Sequence, residues 1–428
     1  MNSIVSLVRM MKVAAGLALV STFAVQCRAD WGASDETLAA RVDALVQGYS
    51  RCGYLNGAVL VARHGKVVYG KGVGLANFEL AQPNTTQTRF GVASITKQFT
   101  AVLVLQQVAK GTVQLQRTVA DYLPWYRKDT GSRMTIEQLI HHTSGLPADY
   151  DWPEFSDTYE ASRRYEPGEF ARKFCQPDLV SRPGTQWAYS NSGYILLGLI
   201  LEQATGTSFK QLLKDQILDP VGLRDTGLVS HDYGEIDAAT GYTRHAGPRY
   251  TPGRDLDLGH VWSAGAMYST AEDLLRWNEA LSSGKLLPAP LQAELFKPGL
   301  GNWACGWFVT KIGQGAPGAG STVQEMRGDM PGNFFTWVLR YPDQDTVVIV
   351  LRNAYGSTEH FEEKLQSVLF GQEPQLPRRN PKDVVARAWM SSCATLEAHQ
   401  NAAFLAPIAI LAIGYPVFRR KGKAQHSN

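Results

Sequence analysis

Strand-like segments stand near both ends of this chain, and the long stretch between them has a helical pattern. Residues Gly57 to Tyr69 form two β-branched runs around a polar turn at Gly65, which predicts a β-hairpin. The segments Asn333 to Tyr341 and Asp345 to Arg352 are again apolar and β-branched. One sheet that takes strands from both ends of the chain accounts for this order. The sequence therefore predicts an α+β fold, in which one sheet takes strands from both ends of the chain and a helical domain is inserted between them.

The domain boundaries follow from the same pattern. Residues 30–111 and 251–373 are expected to form the sheet domain, and residues 112–250 the helical domain. Proline and glycine are frequent in the middle part, and two helices are clear there, from Ser192 to Gln203 and from Ser208 to Leu218.

The N-terminal segment has the pattern of an export signal. Arg9 and Lys12 precede an apolar run, so residues 1–29 are expected to be a signal peptide that is cleaved near Ala29. Attachment of a lipid at Cys27 is the alternative.

The C-terminal part is expected to anchor the protein. Residues 374–401 look like a proline-containing linker, and residues 402–418 are apolar and just long enough to cross a bilayer. The basic residues of segment 419–428 would hold this end in the cytoplasm, with the main domain on the periplasmic or extracellular face. The alternatives are a sorting signal that is later removed and a terminal helix that packs on the domain.

Charge and cysteine content limit the partners. Seven of the 42 Lys and Arg residues lie in the two end segments, so the body of the chain is slightly acidic and nucleic acid is not an expected ligand. No Cys-x-x-Cys or His-x-x-x-His spacing occurs, so no metal or cofactor is expected, and the adjacent His141 and His142 are interpreted as structural. Disulfide pairing remains open among four cysteines that follow the signal: Cys52, Cys175, Cys305 and Cys393.

A Ser-x-x-Lys run marks the candidate nucleophile. The pattern occurs at Ser94 to Lys97 and again at Ser282 to Lys285, so the motif alone does not choose between them. Only Ser94 stands at the start of an apolar helix, which the spacing predicts over Thr96 to Lys110. Residues three apart share a helix face, so Lys97 can reach the Ser94 hydroxyl and act as the base that a serine nucleophile needs.

Tyr189-Ser190-Asn191 is the second candidate motif, just before a predicted helix. The Tyr189 hydroxyl could relay a proton while Asn191 donates a hydrogen bond to substrate. Alternatively, Asn191 only caps the helix. The spacing also occurs at Tyr54 to Asn56, so it is not specific by itself.

Taken together, these motifs resemble the serine β-lactamase-related family, which contains class C β-lactamases, D-alanyl-D-alanine carboxypeptidases, D-aminopeptidases and carboxylesterases. The similarity is collinear over about residues 40–370. The matching segments are Gly57 to Tyr69, Thr88 to Lys97, Ile140 to Pro147, Tyr189 to Tyr194, Leu218 to Leu223, and Tyr341 to Asp343 leading to Asn353.

The resemblance implies a β-lactamase/transpeptidase-like fold, in which helices flank an antiparallel sheet and an all-helical domain is inserted. The active site would lie in the groove between the two domains. It implies that Ser94 is the acyl-forming nucleophile, Lys97 its hydrogen-bonded partner, and Tyr189 the general base and later acid. The oxyanion hole would combine the backbone N–H of Ser94 with an N–H on the edge strand after the third family motif.

The third motif departs from the family pattern, which has Lys-Thr-Gly or His-x-Gly. The Pro-Gly pair at residues 331–332 places Met326, Arg327 and Gly328 at the motif, followed by Asp329. Gly328 keeps a close backbone approach, but the basic side chain is replaced by Met326, and strand alternation turns Arg327 away. Met326, Gly328 and Asp329 are expected to line the substrate site.

The sequence therefore predicts a monomeric, exported serine hydrolase that acts on small ester, amide or peptide substrates. A carboxylesterase or amidase is favoured, because Met326 cannot pair with a substrate carboxylate. A D,D-peptidase or β-lactamase is the first alternative. A catalytically inactive envelope binding protein with the same fold is the second.

Overall fold

A six-stranded antiparallel sheet takes strands from both ends of the chain, as the sequence predicts. The computed structural model describes residues 34–148, 164–245, 250–253 and 257–377. The strands lie in the order β3-β4-β5-β6-β1-β2. Their bounds are β1 (Gly57–Arg63), β2 (Lys66–Val73), β3 (Phe308–Lys311), β4 (Thr322–Met330), β5 (Phe334–Tyr341) and β6 (Thr346–Arg352).

The pairing of β1 with β6 closes this sheet. Gly57 lies opposite Arg352, and Arg63 lies opposite Thr346. A side chain at Gly57 would place its Cβ 1.9 Å from the carbonyl oxygen of Leu351, and φ is +155° there, so glycine is required for the strands to approach. Every residue of β1 is buried, as expected of a central strand covered on both faces.

Helices cover the two faces of the sheet. Helices α1 (Asp35–Arg51) and α6 (Phe361–Leu369) share one apolar core with one face. Helices α2 (Thr96–Ala109) and α5 (Ala271–Ser282) share a larger core with the other face. The ring of Phe99 in α2 stacks on Trp277 in α5 at 4.0 Å between centroids, which links the two helices directly.

The middle part contains the two predicted helices and a further helix that precedes them. Helix α3 spans Pro167–Phe174, and α4 spans Asn191–Thr205, ending at Gly206 in the left-handed conformation. The helix predicted from Ser208 to Leu218 consists of three consecutive segments: an α-helix, a π-helical segment and a final α-helical turn. Their bounds are Phe209–Leu213, Lys214–Leu218 and Asp219–Val221.

Short elements fill the remaining connections. The short helices are Val119–Tyr122, Lys128–Gly131, Ile136–Ile140, Trp262–Gly265 and Ala289–Leu295. The short strands are Leu75–Asn77, Gln82–Pro83, Phe90–Gly91, Gly227–Leu228, Tyr242–Arg244, Tyr250–Pro252, Met267–Ser269 and Ala354–Tyr355.

Several predictions concern residues outside the described ranges, namely the signal peptide, most of the linker and the C-terminal segment. Within the described ranges, no helix has the length and apolar character needed to cross a bilayer. Cys52 and Cys305 carry free thiols, and Cys393 lies outside the described residues. The boundaries between a sheet domain and a helical domain stay a prediction.

Candidate active site

Ser94 lies on a tight turn that leads directly into α2. The turn is a 3-10 turn over Ala93–Ile95, and Ala93 adopts a φ of +44°, a conformation that non-glycine residues rarely take. Ala93 and Ile95 are buried, whereas Ser94 is partly exposed. Ala93 and Ile95 therefore fix the turn in the apolar core, and the hydroxyl of Ser94 faces the surface.

The amine of Lys97 is buried one helical turn after Ser94. The side chain is 0% exposed. Its Nζ donates to Ser94 Oγ at 3.1 Å, to Asn191 Oδ1 at 2.6 Å and to the carbonyl oxygen of Ala264 at 2.8 Å. Burial of a cation is costly unless hydrogen-bond acceptors replace water. These oxygens supply that replacement and hold the amine against the serine.

Tyr189 is the second side chain that reaches the hydroxyl of Ser94. Its hydroxyl lies 2.7 Å from Ser94 Oγ. The Nζ of Lys97 lies 4.8 Å from the centroid of the Tyr189 ring. Two proton-carrying groups thus stand within hydrogen-bond distance of one serine oxygen, which is the geometry that activates a nucleophile.

Asn191 is the first residue of α4, but its side chain does not cap this helix. The hydroxyl of Ser190 accepts from the N–H of Gly193 and serves as the cap. The Oδ1 of Asn191 instead accepts from Lys97. The alternative in which Asn191 only caps the helix is therefore wrong, and its predicted contact with substrate stays a prediction.

Gly328 brings β4 against the turn that carries Ser94. A Cβ at this position would lie 2.1 Å from the carbonyl oxygen of Val92 and 3.4 Å from the Cβ of Ala93. Met326 shares this face of the strand and is 2% exposed within the larger core. The residue that replaces the basic side chain of the family motif is thus an apolar group on the nucleophile's side of the strand.

Arg327 and Asp329 lie on the other face of β4. The side chain of Arg327 is 59% exposed and forms an ion pair with Glu325 at 3.6 Å. The carboxyl of Asp329 lies near Tyr355 and Arg352, and desolvation raises its pKa despite the Arg352 guanidinium. The alternation that the sequence predicts for Arg327 is confirmed. The carboxyl of Asp329 lies on the face opposite Gly328. A substrate bound beside Gly328 can therefore contact only the backbone of Asp329.

The backbone of β4 has a free edge beside Ser94. Strand β3 pairs with β4 only from Thr322 to Glu325, and within the described ranges no other strand takes up this edge beyond that point. The carbonyl of Ser321 accepts from Ile312 on this side. Since backbone groups alternate along a strand, the N–H of Asp329, eight residues later, points to the same edge.

The competing motifs have ordinary structural surroundings. The Ser282 hydroxyl lies 3.1 Å from the carbonyl of Asn278 in its own helix and 2.5 Å from Nη2 of Arg340. Asn56 forms a buried hydrogen bond with Asn353, at 2.6 Å between the amide nitrogen and the carbonyl oxygen. Helix context therefore selected the serine that the structure joins to a lysine and a tyrosine.

Two groups of the site are not predicted by the sequence. One is the carbonyl of Ala264, for which no side-chain pattern exists. The other is the ring of His142, which packs on Tyr189 with 4.5 Å between centroids. His142 belongs to the segment Ile140 to Pro147 that carries the family resemblance, which is the one sequence signal for this residue, since its spacing to His141 indicates only that the pair is not metal-binding.

Comparisons with known proteins show the family and the fold of this chain. The model of the Beta-lactamase family matches residues 38–372. Penicillin-binding protein 4* of Bacillus subtilis is 28% identical over 360 residues, which is 78% of this chain and 76% of that protein. Esterase EstB of Burkholderia gladioli is 34% identical over 279 residues, 57% of this chain and 70% of that protein. The solved structure of EstCE1, a hydrolase with promiscuous acyltransferase activity, has the same fold, with a TM-score of 0.68 at 24% identity over 79% of this chain and 99% of that chain.

The close contact at Gly328 yields a test of the site geometry. In G328A the new methyl group would meet the Val92 carbonyl at 2.1 Å, so the strand and the serine turn must separate. The rate at which an activated-serine probe labels Ser94 is expected to fall about 10- to 100-fold, because small displacements of reacting groups are costly. G313A is the matched control, since a Cβ at Gly313 meets no atom of the described chain within 4 Å. Equal labelling rates for G328A and the unchanged protein would contradict the assigned role of this strand.

Proposed function

Because this chain belongs to the Beta-lactamase family of serine hydrolases, we propose that it hydrolyses esters or amides through an acyl-enzyme on Ser94. The observation that carries the proposal is the placement of Tyr189 Oη and Lys97 Nζ at 2.7 and 3.1 Å from one serine oxygen. This complete set of groups supports an enzyme over an inactive binding protein.

The proton of Ser94 has a short path in this geometry. The reactive form of Tyr189 is the phenolate, which has lost the proton that the neutral side chain donates to Ser94, and the nearby ammonium of Lys97 stabilises its negative charge. As Ser94 Oγ attacks the carbonyl carbon of the substrate, the phenolate oxygen takes the serine proton and Tyr189 becomes neutral. The same proton then passes to the leaving alcohol or amine as the carbonyl–heteroatom bond breaks. Water repeats the sequence in reverse order, which releases the acid and restores the Ser94 hydroxyl.

Backbone N–H groups would stabilise the oxyanion of each tetrahedral intermediate. We assign this role to the N–H of Ser94, at the start of the helical segment, and to that of Asp329 on the free edge of β4. The contact of Gly328 with Val92 keeps the two elements close. Asp329 therefore acts through its backbone N–H, and its carboxyl takes no part in the reaction.

Met326 supports a substrate without an obligatory carboxylate. It is buried on the Ser94 side of β4, where a lysine or histidine would pair with an anionic group. Arg327 cannot replace that charge, because it points to the opposite face. The similarity to an esterase supports the same choice, whereas the similarity to a penicillin-binding protein keeps a D,D-peptidase or β-lactamase as the alternative.

A fluorophosphonate probe tests the nucleophile. The full chain is expected to form one adduct on Ser94, located by peptide mass spectrometry, and S94A is expected to form none. S282A is the matched control, since Ser282 has the same Ser-x-x-Lys spacing but neither a tyrosine nor a lysine amine on its hydroxyl among the described residues. Loss of labelling in S282A with retention in S94A would refute the assignment.

A matched pair of esters tests the substrate class. The unchanged protein is expected to prefer a neutral ester over one that carries a carboxylate on the same leaving group. M326K should shift the ratio of the two kcat/KM values toward the carboxylate ester by about tenfold or more, the worth of a charge-assisted hydrogen bond. R327M, on the opposite face, should leave the ratio unchanged. Turnover of nitrocefin by the unchanged protein as fast as the neutral ester would instead favour the β-lactamase alternative.

The place of action is proposed to be outside the cytoplasm. The pattern of Arg9, Lys12 and the following apolar run supports export of the full chain. Cell fractionation is expected to recover the protein outside the cytoplasm, in the membrane fraction, the periplasm or the medium, with a new N-terminus near Ala29. Replacement of Leu17 and Leu19 by arginine should retain it, uncleaved, in the cytoplasm. Export of that double variant at the normal level would rule out this segment as the signal.

A further inference from the structure

His142 holds the chain on both sides of Tyr189. The carbonyl of His142 accepts from the N–H of Ala188 at 2.8 Å, and its ring Nδ1 accepts from the N–H of Ser190 at 3.1 Å. The ring also packs on the Tyr189 ring, with 4.5 Å between centroids and 42° between planes. One residue thus fixes the backbone before and after Tyr189 as well as the side chain itself.

The hydrogen bond to Ser190 determines the form of the imidazole. A backbone N–H can only donate, so Nδ1 must be unprotonated and the single proton must be on Nε2. Burial lowers the pKa of His142 well below its ordinary value, and the charge of Lys97 and the neighbouring His141 act in the same direction. The ring is therefore neutral and has one defined tautomer.

Aromatic rings surround the imidazole of His142. His142 is 1% exposed, and its ring packs against the rings of Tyr194 and Trp303, with 5.0 and 4.5 Å between centroids. Its Nε2 has no hydrogen-bond partner among the described residues. A phenylalanine would pack in the same space without an unsatisfied donor, but it would leave the Ser190 N–H without its acceptor. The imidazole is thus explained by the acceptor at Nδ1 and not by packing alone.

We propose that His142 is a positioning residue, whose Nδ1 holds the Ser190 backbone so that the Tyr189 hydroxyl stays in contact with Ser94. This inference rests on the proposed role of Tyr189 as the proton carrier. The bond to Ser190 has a second effect, because Ser190 caps α4 and the next residue, Asn191, accepts from Lys97. Both proton-carrying groups of the site therefore depend on the position of this one peptide.

Two substitutions separate the acceptor from the ring. H142F keeps an aromatic ring and removes the acceptor. H142N removes the ring, keeps an amide oxygen near the position of Nδ1, and tolerates the φ of +54° at this residue. With kcat expressed per probe-titrated active site, H142F is expected to lose about 10- to 100-fold in kcat with KM within about threefold, because a misplaced proton carrier affects the chemical step more than binding. H142N is expected to recover at least about tenfold of that loss.

The controls distinguish positioning from stability. H141F alters the adjacent histidine, whose ring contacts Cys305, and is expected to keep kcat within about twofold. Thermal unfolding is measured for every variant, and H142G, which also tolerates the backbone conformation but has no acceptor, replaces H142F if that variant does not fold. Equal kcat values per active site for the acceptor-containing and acceptor-free variants would overturn the role of His142. An unchanged protein that forms no acyl-enzyme would overturn the proposed function and this inference together.

Discussion

The buried ammonium of Lys97 is the interaction on which the rest of the site depends. A charge that is removed from water must be surrounded by acceptors, and here these come from the serine turn, from the first residue of α4 and from the short helix at Ala264. The segments are far apart in sequence. Their convergence on one nitrogen links the helical region to the helix that carries the nucleophile.

The sequence allowed the parts with local signals to be predicted. The hairpin, the late strands and the start of α2 have distinct periodicities, and the pairing of the chain's two ends followed from their order. The division of the helix after Ser208 and the cap at Ser190 were not foreseen, because several nearby residues can serve as caps or breaks and tertiary contacts choose among them. The Ala264 carbonyl had no signal at all, since every residue carries the same group.

His142 illustrates a different limit. Its sequence neighbour is another histidine, and a pair of histidines raises the question of metal binding. The functional contact of the ring is instead with a backbone N–H from a loop about fifty residues later. Such a contact becomes visible only when the loop before α4 is placed in space. The face occupied by Met326 was, in contrast, predictable, because alternation along a strand needs only the position of one neighbour, Gly328.

The pairing of β1 with β6 also governs how the chain can reach its native state. The two strands are separated by most of the folded sequence, so β1 remains without its central partner until the last sheet strand has left the ribosome. Contacts of such high contact order form slowly, and an apolar strand that waits for its partner exposes an edge to other chains. Completion of the sheet is therefore a late step of folding, and the edge of β1 that faces β6 stays unpaired until that step.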